Sequence, residues 1–232
     1  MELLKGITAI DLAITIDDML IIGDLHMGYE DYVAQTGVLL PKFHYKELQE
    51  KIEAILKKTK PKLIVINGDV KHEFGSISNE EWRNILKLID YLSKTAKVVF
   101  IKGNHDAILM PIIRKRKLAM VDYYIHKQVY ITHGHKIPKD KEFQKAKTII
   151  IGHEHPAISL NDGVRTEKFK CFLVGKFHRK NLIVMPSMNL VTEGTDILKE
   201  KLLSPFLKNV DNFQVFIVGD KVYKFGKVKE YY

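Results

Sequence analysis

Three short apolar runs limit what this chain can fold into more than any other feature. MLIIGD (residues 19–24), KLIVINGD (62–69) and KVVFIKGN (97–104) each close on glycine or asparagine, with aspartate nearby. Runs of β-branched and aliphatic residues that stop on turn formers read as buried strands. Between the first two, Tyr45–Lys60 sets Leu48, Ile52, Ile55 and Leu56 on one helical face. Between the second and third, Glu81–Lys94 does the same with Trp82, Ile85, Leu86, Ile89 and Leu92, and Asn79 ahead of it is a candidate N-cap. Strand–helix–strand alternation implies a sheet with right-handed crossovers and helices on its faces.

After His126 the rhythm changes. QVYITHGH, TIIIGHEH, AISL, KCFLVG, NLIVMPS, FQVFIVG and KVYKFG are strand-like, with one short helical span expected at Lys139–Lys145. The pattern predicts two packed sheets with helices outside, an α/β layered sandwich. No linker, repeat or composition break divides residues 1–232, so a single domain is expected.

Composition excludes some classes of function. No apolar stretch reaches the length that spans a bilayer, and Asp11, Asp17 and Asp18 break the N-terminus too often for a signal peptide. The single Cys171 cannot form an internal disulfide and reads as a small core residue, which fits a reducing, cytoplasmic compartment. The net charge of +9 leaves a nucleic acid or another polyanion open as a partner, or simply a Lys-rich surface. RKRK at Arg114–Lys117 is the densest basic run, and it has no interleaved aromatics.

The strand ends carry the chemistry. KGNHD crowds Asn104, His105 and Asp106 onto one of them, and the others hold Asp24 and His26, Asp69, His133 and His135, and His153 and His155. In an open α/β sheet the carboxyl ends of strands lie along one edge, where ligands bind. Carboxylates, imidazoles and an amide oxygen, with no thiolate, suit Mn²⁺, Fe, Co²⁺, Ni²⁺ or Zn²⁺. There are more ligands than one ion needs, so two ions sharing a carboxylate are expected. Gly23, Gly68, Gly103, Gly134 and Gly152 would let the backbone turn sharply and approach closely. Any one of these motifs alone is matched by ordinary turn chemistry; five in this order, each after an apolar run, are not.

GDLH, NGD, GNHD, THGH and GHEH together resemble the ordered signature of the calcineurin-like binuclear metallophosphoesterases, over Asp24 to His155. GDVKH and the tail VMPSMNLVTEGTD are similar to archaeal phosphoesterases related to the double-strand-break repair nuclease subunit, and to DNA-ligase-associated phosphoesterases. The resemblance implies a four-layer α-β-β-α sandwich and two divalent ions, Mn²⁺ favoured. It implies Asp24, His26, Asp69 and His155 as ligands of one ion. Asp69 would bridge to a second, completed by Asn104, His133 and His153. His105 would be the non-ligand histidine beside the scissile phosphate, where a protonated ring could stabilise charge or protonate the leaving oxygen, and Asp106 its orienting partner, a turn cap, or both.

His72 and His135 are substrate-facing candidates, and His44, His126 and His178 have no companions. Residues 186–194 read either as a lid or as an ordinary surface connection. The expected activity is hydrolysis of a phosphoester, phosphodiesters above all. No arginine occurs in the five motifs, and guanidinium forks often grip dianionic monoesters. A repair-type nuclease or nucleic-acid-binding protein on the same metals is the alternative, and a scaffold with a degenerate site is disfavoured because every ligand position is filled.

Overall fold

A computed structural model describes residues 1–29, 44–72, 79–161 and 163–232. The chain opens with an antiparallel meander of β1 (Glu2–Leu4), β2 (Ile7–Ile10), β3 (Ala13–Ile16) and β4 (Met19–Ile22). Its tight turns fall at Gly6, Asp11 and Asp17, all with positive φ. The aspartates that argue against a signal peptide are therefore hairpin residues. The sheet then continues in parallel through β5 (Leu63–Asn67), β6 (Lys97–Ile101) and β7 (Ala119–Val121). The two expected helices are α1 (His44–Thr59) and α2 (Asn79–Thr95), followed by a short α3 (Met110–Lys115). Asn79 is itself the first helical residue of α2; the residue before it lies outside those described, and so does the side chain of His44.

Asp122 alone separates β7 from β8 (Tyr123–His126), where the chain enters the second sheet. That sheet contains β9 (Val129–Thr132), β10 (Thr148–Ile151), β11 (Pro156–Asn161), β12 (Thr166–Phe177), β13 (Lys180–Val184), β14 (Thr195–Asp196), β15 (Gln214–Val218) and β16 (Val222–Lys227). Its strands run in the order β14-β11-β12-β13-β10-β9-β8, with β15 and β16 attached through β12. Strands β9, β10 and β13 are parallel. The short α4 (Lys141–Lys145) is capped by Asp140, whose carboxylate accepts from the Phe143 N–H at 2.8 Å and from Tyr130 Oη at 2.8 Å.

Period-two alternation sorts the strand residues into layers. Ile14, Ile21, Val65 and Ile101 meet Ile131, Ile150, Phe172, Ile183 and Phe216 between the sheets. On the outer face of the first sheet, Leu20, Ile22, Ile64, Ile66 and Phe100 pack under Leu48, Ile52, Ile85 and Ile89 of α1 and α2. On the outer face of the second, Cys171, Leu173, Leu182 and Val184 are covered by Phe143 of α4 and by Phe206, Leu207, Val210 and Phe213. The expected four layers are present, and an irregular segment supplies most of the fourth. Among the described residues no helix is long and apolar enough to cross a membrane.

Candidate metal centre

Strands β4, β5 and β6 are parallel, so their carboxyl ends share one edge, and β9 and β10 present theirs likewise. Asp24 (φ 53°), His26 (45°), Asp69 (45°), His153 (67°) and His155 (52°) leave these strands in the left-handed region. Such residues cost of order 1–3 kcal/mol each and persist where surrounding bonds over-determine them. Here the bonds are visible. The Asp24 N–H donates to Gly68 O at 3.0 Å, His26 N–H to Asp69 O at 3.0 Å and Met27 N–H to Val70 O at 2.8 Å. Of the five glycines expected to turn the chain, only Gly68 and Gly134 have positive φ. The ligand candidates make the sharp turns themselves. Gly103 and Gly152 serve close approach instead: a Cβ at Gly103 would strike Asp69 Oδ1, and one at Gly152 would strike Asp24 Oδ2.

Two groups of donors assemble, Asp24–His26–His155 and Asp69–His133–His153, each with its ligand atoms within 4.8 Å of one another. In the first, His26 Nε2 lies 3.1 Å from His155 Nε2, which is 3.2 Å from Asp24 Oδ1. In the second, His133 Nε2 is 3.3 Å from Asp69 Oδ2 and 3.0 Å from Asn104 Oδ1. His133 Nδ1 donates to Asn67 O at 3.2 Å, which leaves Nε2 as the nitrogen available to an ion. Asp69 Oδ2 is also 3.9 Å from His26 Nε2, so this carboxylate stands between the groups. The Asp24 carboxylate joins them from below: Oδ2 accepts the His153 N–H at 3.0 Å.

His105 sits above Asp69. Its N–H donates to Asp69 Oδ1 at 3.0 Å, and its ring Nε2 is 3.8 Å from Oδ2. Asp106 acts as a turn cap. Its two oxygens accept from the backbone, Oδ1 from Val70 N–H at 2.9 Å and Oδ2 from Gly103 N–H at 3.0 Å. These bonds fasten the loop after β5 to the loop after β6.

His72 lies beside the first group, its Nδ1 3.4 Å from His26 Nδ1 and its ring 4.6 Å from that of Tyr29. Both line a hollow of about 380 Å³ that His26, His155, Lys168 and Asn189 also wall. His135 packs by the second group, 5.3 Å from the His133 ring. His126 is paired with Asp17 at 2.7 Å, and His178 packs on Phe177. Arg116 of the basic run is held by Asp90 through two bonds of 2.6 and 3.1 Å.

Several residues in no recognised role complete the site. Lys71 and Glu81 form an ion pair at 3.6 Å, both buried, with Lys71 next to His72 in the loop after β5. Glu154, between His153 and His155, accepts from the N–H groups of Leu203 and Ser204 at 2.9 and 2.7 Å. Of residues 186–194, the first four are buried, whereas 190–194 are partly exposed and Thr192, Glu193 and Gly194 border the hollow beside His72. The E of GHEH and the serine and asparagine of PSMN were visible in sequence, but nothing local marked them as buried.

Electrostatics separate the histidines. Burial pushes His26 down to about 3, helped by His155, and lowers His72, His135 and His153 to about 4. Burial opposes the charge on His133 as well, yet the hydrogen bond to Asp69 and the charges of Asp24 and Asp69 raise it to about 9. His105 is lowered, because burial outweighs the pull of Asp69. Burial thus works against the cationic ring expected there, and the Asp69 charge works for it. Asp106 rises to about 6 through burial and the nearby Asp69 charge.

The donor set fits a divalent ion in each group. Asp24 is fully buried and its Oδ1 has no hydrogen-bond partner, a cost of about 1–3 kcal/mol unless a cation faces it. Mostly neutral imidazoles beside ionised carboxylates are the protonation states that ligation requires.

A family model described as calcineurin-like phosphoesterase matches residues 19–181. No curated protein matches the sequence. Among solved structures, the nuclease MPE of Pseudomonas putida is 18% identical over 93% of this chain and 92% of its own, with a TM-score of 0.65. Yfce, a phosphoesterase from E. coli, is 12% identical over 90% of this chain and 98% of its own, with a TM-score of 0.44.

Proposed function

The chain belongs to the calcineurin-like phosphoesterases, and from that premise we propose that it is a binuclear metal-dependent phosphodiesterase acting on small or cyclic nucleotide diesters. The observation that carries this reading is the pair of donor groups on either side of Asp69. Asp24, His26 and His155 would hold one divalent ion and Asn104, His133 and His153 the other, with Asp69 between. Bound there, the ions would polarise the phosphoryl group and lower the pKa of an attacking water. Nitrogen and carboxylate donors without thiolate favour Mn²⁺, with Fe, Co²⁺, Ni²⁺ and Zn²⁺ also compatible.

The chain's own residues would do the rest. His105, its Nε2 3.8 Å from Asp69 Oδ2, would donate an N–H to the phosphoryl or leaving oxygen. The ester substituent would lie in the hollow beside His72, Tyr29 and Lys168, whose volume of about 380 Å³ suits a small group. Residues 1–232 are read as one domain, which the shared core between the sheets supports. A reducing, cytoplasmic setting accords with the free, buried Cys171.

The test offers Mn²⁺-loaded protein bis-p-nitrophenyl phosphate, cyclic nucleotides, phosphate monoesters, and single- and double-stranded DNA at matched salt. Small diesters are expected to give the highest kcat/KM. Strong preference for monoesters would overturn the proposal. A second reading, a nuclease on the same metals, draws on the +9 charge and on His72 beside His26. It would be favoured by robust DNA cleavage with negligible small-diester turnover, and by affinity that falls steeply with salt.

A further inference from the structure

Asp24 is held from beneath by residues that lie in none of the five motifs. Its carbonyl accepts from Ser187 Oγ at 2.8 Å and from the Asn189 N–H at 3.1 Å, while the Gly23 carbonyl accepts from the Met188 N–H at 3.1 Å. Ser187 Oγ itself accepts from the Asn189 N–H at 3.0 Å, so one hydroxyl closes the knot. The Ser187 carbonyl is in turn bound by Lys170 Nζ at 3.1 Å. Lys170 lies on β12 two residues before Phe172, hence on the face that meets the other sheet, at the point where the apolar core stops. Lys170 is half-buried there, and its ammonium is spent on a backbone carbonyl.

The arrangement has a geometric consequence. With its carbonyl tied to Ser187 and its N–H to Gly68, Asp24 is locked at φ 53°. In that conformation Oδ2 meets the His153 N–H, and Oδ1 faces His155 Nε2 at 3.2 Å with no hydrogen bond of its own. We propose that Ser187 and Lys170 are positioning residues for the first metal group: Ser187 fixes the Asp24 backbone, Lys170 fixes Ser187, and together they aim Oδ1 at the ion. The inference rests on the metal reading above. Ser187 and Lys170 touch neither ion nor substrate.

The experiment titrates Mn²⁺ into metal-free protein by calorimetry, with metal content and the thermal midpoint of the metal-free form measured alongside. Ser187→Ala is expected to fold and to weaken one of two Mn²⁺ sites by about 10- to 100-fold, the usual effect of losing a partner outside the ligand shell. Ser187→Thr, which keeps the hydroxyl, should restore binding. Lys170→Met should weaken the same site and Lys170→Arg should recover it. Asp24→Asn is the control and should abolish that site. If Asp24→Asn loses the site while Ser187→Ala and Lys170→Met bind Mn²⁺ like the parent, the positioning role is wrong and the metal reading stands. If Asp24→Asn binds like the parent, the metal reading itself fails. Should Ser187→Ala not fold, Lys170→Met, which leaves the hydroxyl in place, decides by the same readout.

Discussion

His105 divides binding from chemistry at the scale of single residues. Its main chain is tied to Asp69, but its ring ligates nothing in either donor group. His105→Ala is therefore expected to keep full Mn²⁺ content while turnover falls by roughly 10²–10⁴-fold, the range for a proton donor or charge stabiliser. Unchanged activity at equal metal content would remove it from the mechanism. Asp69 and Asn104 differ in the same experiment. Asp69 Oδ2 reaches toward both His133 and His26, whereas Asn104 Oδ1 reaches only His133. Asp69→Asn should weaken both Mn²⁺ sites and Asn104→Ala mainly one, as read by calorimetric stoichiometry; equal effects would place the bridge elsewhere.

At the scale of elements, the centre depends on loops that fasten one another. Asp106 joins the loop after β5 to the loop after β6 by accepting from Val70 and Gly103, fully buried. Asp106→Ala strands two buried N–H groups, and a loss of roughly 2–4 kcal/mol in urea unfolding is expected. Asp106→Asn keeps one acceptor and should lose less; equal stability of all three proteins would show that these bonds are not what hold the loops. Gly152 makes a parallel case between β10 and the loop after β4. A methyl there meets Asp24 Oδ2, so Gly152→Ala should displace the carboxylate and reduce metal content while leaving the far-ultraviolet circular dichroism of the fold intact.

For the whole molecule, each donor group draws on both sheets. Asp24 and His26 follow β4 and Asp69 follows β5, while His133, His153 and His155 follow β9 and β10. Metal bound by these groups would link the two sheets across their edge, beside the core formed by Val65, Ile150, Phe172 and Phe216. Mn²⁺ in hundredfold excess over its dissociation constant should stabilise the fold by about 2.7 kcal/mol per site. At roughly 2–4 °C per kcal/mol for a chain of this size, chelation should lower the unfolding midpoint measurably; a midpoint indifferent to chelator would argue against ligation across the sheets. Phe172→Ala, in the same core, is expected to cost about 3–5 kcal/mol in urea unfolding.

Sequence alone determined what is periodic or locally coded. The faces of α1 and α2, the ends of β4, β5 and β6, and the polar residues at those ends followed from 3.6- and 2-residue periods that any neighbour would preserve. The N-terminal meander was equally local, since its turns at Gly6, Asp11 and Asp17 are hairpin chemistry, but its short strands look like little in isolation. Tertiary structure decided the rest. The irregular outer layer at Phe206–Phe213 has no period to read. That Asp106 also accepts from Val70, 36 residues away, has no local signal. The bond from Ser187 to Asp24 spans 163 residues and exists only because two sheets stack with their carboxyl edges together. Whether a polar side chain at a strand end faces an ion, a backbone amide or another loop depends on which surface packs against it, and a single sequence carries no local record of that surface.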